Sequence, residues 1–100
     1  MSFARLTRFP IKRDKKNEAQ QTSRQFEQQL HDLPGHESTI FFFDPDGALT
    51  VVTVWDTEEH ANGATAIRQQ AADALGDAMD GAPKTVVGET FVNDRRLQHA

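Results

Sequence analysis

Two side chains in the second half of the sequence have the chemistry of a ligand or substrate site. His60 lies near the start of a predicted helix, and an imidazole can act as a base or an acid near neutral pH. The positive end of that helix disfavours the protonated ring, which favours a neutral base. Arg68, beside Gln69, is placed to reach an anionic ligand from the same helix. Both residues also fit a solvated helix surface, so His60 is a candidate catalytic residue with a structural alternative.

Several classes of site are excluded by residue type and spacing. The chain has no cysteine, which excludes disulfides, thiolate metal sites, iron–sulfur clusters and cysteine nucleophiles. The four histidines have no metal-ligand spacing, and no serine lies in a nucleophile-elbow motif. We therefore predict neither a metal site nor a cofactor.

Trp55 ends a β-rich run and has two possible roles. It fits a core position that anchors the second helix to a sheet, with its indole N–H bonded to one partner. It also fits a surface on which a ligand ring stacks. The sequence favours the core position.

Arg5 and Thr7 alternate with phenylalanines along one face of the predicted first strand. If that face met the sheet of a partner molecule, Arg5 would be buried there. A buried guanidinium needs a carboxylate nearby, and Glu89 is the candidate.

The charge of the chain is unevenly distributed. Residues 1–16 contain six of the eleven lysines and arginines and one acid, and the remaining residues contain five bases and fourteen acids. This acidic bulk argues against a nucleic-acid footprint. The sequence has neither the apolar run of roughly 18 residues that a membrane span needs nor the apolar core of a signal peptide. We predict a cytoplasmic protein that binds neither nucleic acid nor membranes.

Hydrophobic patterning predicts the element order strand, helix, strand, strand, helix, strand. The approximate ranges are 2–9, 14–33, 39–43, 49–55, 56–79 and 85–92. Between the two middle strands, Asp-Pro-Asp-Gly at 44–47 is typical of a type I turn followed by a left-handed glycine. A chain of 100 residues supports one core, so we assign one domain to residues 1–100, with its core at about 3–92 and a polar tail at 93–100.

This order predicts an α+β, ferredoxin-like β-α-β-β-α-β fold, in which two helices cover one face of a four-stranded antiparallel sheet. The strand segments 40–43, 51–55 and 86–87 are nevertheless apolar on both faces. A second copy packed sheet to sheet would bury the uncovered face, so we predict a homodimer. The alternative is a monomer whose open face is apolar only because its strands have high β-propensity.

Three segments resemble the antibiotic biosynthesis monooxygenase (ABM) family. They are Leu-Pro-Gly at 33–35, the strand at 49–55, and Trp-Asp-Thr-Glu-Glu at 55–59. The resemblance covers about residues 3–92. It implies a dimeric α/β barrel, made of two ferredoxin-like protomers with facing sheets. Enzymes of this family oxidise polycyclic quinone precursors without a cofactor or degrade haem.

The resemblance also points to site positions. The haem-degrading members have an Asn on the first strand, where this chain has Arg5 or Thr7, and a second Trp and a His, where it has Gly63 and Ala74. The chain also has no tyrosine, a residue that the quinone-oxidising members use. The ligand-binding candidates are Trp55, Thr7 and Arg68.

Three functions follow from these observations. The first is an ABM-like dimer that binds a small aromatic or apolar ligand, which the missing catalytic residues favour. The second is a cofactor-independent monooxygenase acting on an aromatic or quinone-type substrate, with His60 accepting its proton. The third is an RNA-recognition module, which needs a basic-Gly-Phe-like segment that residues 49–55 do not contain.

Overall fold

The computed structural model describes residues 2–93 and confirms the α+β, ferredoxin-like fold. The elements within this range are β1 (Phe3–Phe9), α1 (Lys16–His31), β2 (His36–Phe43), β3 (Leu49–Trp55), α2 (Glu58–Asn62), α3 (Thr65–Leu75) and β4 (Lys84–Glu89), with 3-10 turns at Arg13–Lys15 and Gly76–Ala78. The strands form one antiparallel sheet in the order β2-β3-β1-β4. The predicted polar tail lies, from residue 94 onward, outside the described residues.

The β2–β3 turn is held by the residues that predicted it. Asp44 accepts hydrogen bonds from the backbone N–H groups of Asp46 and Ala48, each at 2.9 Å. Gly47 has a φ of 87°, a left-handed conformation that glycine adopts without strain. The second carboxylate oxygen of Asp44 accepts from Arg8 Nε at 2.6 Å, which ties the turn to β1.

The predicted single second helix is wrong: the chain forms two helices. Thr57 caps α2, because its hydroxyl accepts the N–H of His60 at 3.1 Å. The helix ends at Asn62, with Gly63 as its C-cap. α3 begins at Thr65, whose hydroxyl donates to the carbonyl of Asn62 at 2.8 Å. Asn and Gly have low helix propensity, and α2 packs on the sheet whereas α3 packs chiefly on α1. Because α2 and α3 pack against different elements, the helix is interrupted between them.

Helices pack on only one of the two faces of the sheet within residues 2–93. The helices cover the face that carries Phe9, Leu49 and Trp55, which are all buried. Within residues 2–93, no helix covers the opposite face, and one row of paired residues crosses all four strands there: Ile40, Val52, Leu6 and Val86. Three of these side chains are substantially exposed, Ile40 by 58%, Leu6 by 37% and Val86 by 67%. The open apolar face that the strand pattern predicted is therefore present.

Within residues 2–93, no helix is long and apolar enough to cross a membrane.

Candidate functional site

A small cavity lies between the sheet and the helices α1 and α3. Its volume is about 50 Å³. Its apolar wall includes Phe9, Phe26, Phe41, Val51, Ile67 and Ala71. The polar side chains along it are Arg5, Thr7, Thr22, Ser23, Thr53 and Arg68.

The size of the cavity limits what it can hold. A water molecule needs roughly 10–15 Å³ measured in the same way, so the cavity accommodates a small group of atoms. Binding sites for drug-sized ligands are typically about 300–1,000 Å³. A ring system therefore enters only if the surrounding side chains or helices move.

A larger groove of about 350 Å³ runs along α1 and β2 and borders the cavity. Both spaces are lined by Ser23, Phe41 and Leu49, so these side chains separate them. Arg24 and Glu27 also line the groove, which makes its wall more polar than that of the cavity.

Arg5 is the most buried charge of the site. It points from β1 towards the helices and is only 6% exposed. Its Nη1 donates to the carbonyl of Ala61 at 3.1 Å, and its Nη2 donates to Thr65 Oγ1 at 3.4 Å. Burial, and to a lesser extent the positive charge of Arg68, lower the pKa of Arg5 from its usual value. The guanidinium is thus held by neutral groups.

The expected pairing of Arg5 with Glu89 across a dimer interface is wrong, because the face of β1 that carries Arg5 lies under the helices. Glu89 is exposed at the end of β4, opposite Phe3. The sequence could not choose between the two faces of β1, since one carries phenylalanines and the other carries Leu6 and Ala4. Arg5 is therefore a site residue that sequence reasoning assigned to a different environment.

Thr7 and Arg68, two of the predicted ligand-binding residues, are brought together at the cavity. Arg68 Nη1 donates to Thr85 Oγ1 at 3.4 Å, and the hydroxyls of Thr85 and Thr7 are 3.0 Å apart. This chain of contacts links α3 to β4 and β1. It fixes the guanidinium of Arg68 above the sheet, where it is half-buried.

Trp55, the third predicted ligand-binding residue, does not line the cavity. Its side chain is completely buried, among Leu30, Ala61 and Ala64. Its Nε1 donates to Thr53 Oγ1 at 2.8 Å, so the polar atom has the single partner that its burial requires. The structure gives Trp55 a core position behind the site.

His60 also lies outside the cavity lining, near the surface of α2. Its Nδ1 donates to Asp56 Oδ1 at 2.6 Å, and this hydrogen bond lowers the pKa of the Asp56 carboxyl. The pair packs on Gly35, where an added Cβ would lie 2.2 Å from Asp56 Oδ1 and 2.3 Å from His60 Nδ1. Gly35 also has a φ of 79°. This contact joins the start of β2 to the start of α2, so His60 has a structural role in this arrangement.

The side chains that line the cavity are of few chemical kinds. Among the lining residues within 2–93, none carries a carboxylate, an imidazole or a phenol. No three metal-ligating side chains gather in the described part of the chain. Two guanidiniums and four hydroxyls belong to lining residues, but the surface that faces the cavity is almost entirely apolar.

The structure belongs to the ferredoxin-like α+β class, with its cavity between the sheet and the helices. More particularly, it has the fold of ABM proteins, as the sequence resemblance predicted. No protein-family model and no curated protein sequence matches the chain.

Three solved structures illustrate this similarity. A Nitrosomonas europaea protein, provisionally named an antibiotic biosynthesis monooxygenase, is 18% identical, with a TM-score of 0.76 over 90% of each chain. The ActVA-Orf6 monooxygenase of Streptomyces coelicolor, solved with nanaomycin D, is 19% identical, with a TM-score of 0.72 over 94% of this chain and 91% of that one. SnoaB, a cofactor-independent oxygenase of Streptomyces nogalater, is 14% identical, with a TM-score of 0.73 over 92% and 95%. At these identities the similarity establishes the fold alone.

Proposed function

We propose that this chain forms a homodimer of the ABM-like fold that binds a small aromatic or apolar ligand in the cavity between helices and sheet. The composition of the cavity carries the proposal: an apolar wall with a few polar groups is typical of a small-molecule site. The lining side chains within residues 2–93 offer no general base, which favours binding over proton abstraction. The dimer rests on the open apolar row of Ile40, Val52, Leu6 and Val86.

A second candidate is a cofactor-independent monooxygenase acting on an aromatic or quinone-type substrate. The names of the Streptomyces neighbours favour it, since one is a monooxygenase and the other a cofactor-independent oxygenase. His60 does not face the cavity, so the substrate would have to ionise without that imidazole.

Incubation with anthrone and oxygen tests this candidate: one oxygen atom of O₂ enters the ring as the new carbonyl, and the other leaves as water with two hydrogens of the substrate. Quinone formation above the rate without protein would support it.

Ligand binding is tested by NMR with two neutral aromatic probes, benzyl alcohol and indole. We expect saturable chemical-shift changes at the amides of Thr7, Val51 and Ala71, which line the cavity. Failure of both probes to shift these amides would contradict the proposed binding site.

A matched pair of variants locates the binding. Ala71→Leu adds atoms to the cavity wall, whereas Ala66→Leu places the same side chain on the exposed surface of the same helix. We expect Ala71→Leu to weaken binding of both probes and Ala66→Leu to leave it unchanged. Equal effects of the two substitutions would show that the probes bind elsewhere.

A further inference from the structure

Arg5 is a charge buried without a counter-charge in the described structure. Arg5 as a whole residue is only 6% exposed, and no Asp or Glu within residues 2–93 forms an ion pair with it. A buried charge is costly unless it is paired and hydrogen-bonded. The Ala61 carbonyl and the Thr65 hydroxyl offset part of this cost, but they leave the positive charge uncompensated.

Arg68 adds a second positive charge to the same cavity. No carboxylate of the described residues lies within ion-pair distance of it either, and its contact is the neutral hydroxyl of Thr85. Two like charges that line one apolar cavity repel each other. The hydrogen bonds of Arg5 and Arg68 to neutral groups offset only part of this cost, whereas an anion between the two side chains would relieve both the burial and the repulsion.

The guanidiniums of Arg5 and Arg68 also have N–H donors that contacts within residues 2–93 do not use. Each guanidinium has five N–H bonds, and contacts with residues 2–93 use two of those of Arg5 and one of those of Arg68. The planar fork of a guanidinium matches the two oxygens of a carboxylate. The remaining wall, formed by residues such as Phe9, Phe26 and Val51, is apolar and suits a hydrocarbon group.

We propose that the ligand of this cavity is a small monocarboxylic acid, whose carboxylate is bound by Arg5 and Arg68 and whose hydrocarbon part lies against the apolar wall. This inference rests on the proposed ligand-binding function and names the class of its ligand. Thr7 lines the same cavity, and its hydroxyl donates to a bound oxygen when Thr85 is the donor in the Thr7–Thr85 contact.

Benzoate and benzyl alcohol test the proposal by titration calorimetry at low ionic strength and neutral pH. The two probes need the same space for their rings, so the difference in their affinities isolates the negative charge. We expect benzoate to bind about tenfold more tightly or better, since a charge-assisted hydrogen bond contributes at least that factor. Equal affinities would overturn the carboxylate proposal and leave the binding function standing, and binding of neither probe would overturn both.

Three substitutions assign the effect to the cavity. Arg5→Met and Arg68→Met remove the proposed carboxylate partners, whereas Arg13→Met removes the same charge from an exposed position of the 3-10 turn after β1. We expect the preference for benzoate to disappear in each of the first two and to persist in the third. A preference for benzoate that persists in both Arg5→Met and Arg68→Met would overturn the proposal. If Arg5→Met does not fold, Arg68→Met alone tests it, because Arg68 is less buried.

The unliganded stability of Arg5→Met separates a ligand-binding role from a structural one. If Arg5 is kept for an anion, replacing a buried unpaired charge by an apolar chain of similar length leaves the melting temperature unchanged or raises it. If Arg5 instead holds Ala61 to the sheet, the melting temperature of Arg5→Met falls. A lower melting temperature of Arg5→Met, together with an unchanged preference for benzoate in Arg68→Met, would contradict the proposal.

Discussion

At the scale of single residues, Trp55 shows how a side chain far from solvent shapes the site. Its indole fills the space between β3 and α2, and its N–H donates to the hydroxyl of Thr53, which lines the cavity. The ring of His36 meets it edge-on, with 5.3 Å between centroids and an interplanar angle of 81°. The orientation of Thr53 is therefore set from the core. A change at Trp55 affects both folding and the cavity wall.

We expect Trp55→Ala to lower the free energy of unfolding by about 3–5 kcal/mol, the usual cost of emptying a large buried aromatic site. Trp55→Phe keeps a ring there and removes the N–H, so its loss should be smaller. Denaturant unfolding followed by circular dichroism measures both. A melting temperature that barely changes in Trp55→Ala, combined with weaker ligand binding, would show that Trp55 serves the ligand instead of the core.

At the scale of elements, the β2–β3 turn depends on one ionised side chain. Asp44 accepts two backbone N–H groups and the Nε of Arg8, and these bonds connect the turn to β1. The hydrogen bond from Arg8, followed by that from the Ala48 N–H, lowers the pKa of the Asp44 carboxyl from its ordinary value of 3.8. The carboxylate form is thus favoured in the folded protein.

The sign of this shift predicts an acid-dependent effect. A carboxyl whose pKa is lower in the folded state stabilises the fold above 3.8, and that contribution is lost as the pH falls from 3.8 through the lower folded value. Asp44→Asn should therefore have a lower melting temperature than the parent chain at neutral pH. The difference should shrink in the acid range. Asp46→Asn, at a side chain 88% exposed, is the control and should change little. A difference that stays constant with pH would contradict the role of the charge.

The elements themselves were predictable to different degrees. The turn at 44–47 and the cap at Thr57 follow from residue types that act locally, and both are present. The division of the second helix was missed because the Asn62-Gly63 pair lowers helix propensity only moderately, and the direction in which each half packs is a tertiary effect. The position of Arg5 was missed for a similar reason, since both faces of β1 carry apolar side chains. Alternation along a strand predicts which residues share a face. It does not predict which element of the protein packs on that face.

At the scale of the whole molecule, the two faces of the sheet have different surroundings. One face meets the helices and lines the cavity, and the other exposes the row of Ile40, Val52, Leu6 and Val86. Exposed apolar area of this kind is typical of an association surface. In the proposed dimer, a second copy related by twofold symmetry would offer the same row and would cover it without further protein. Stable interfaces bury roughly 800 Å² per partner, which is the area that the proposed dimer would have to bury on this face.

The last prediction concerns this assembly. We expect a solution mass near twice the 11.2 kDa of the chain at micromolar concentration, measured by light scattering coupled to size exclusion. Leu6→Asp places a charge in the middle of the open row, so it should yield a monomer or an aggregate, because an unpaired charge would otherwise be buried between the sheets. Gln25→Asp adds the same charge on the exposed surface of α1 and should leave the mass unchanged. A parent chain that stays monomeric at high concentration would contradict the homodimer, and so would a Leu6→Asp variant that retains the doubled mass.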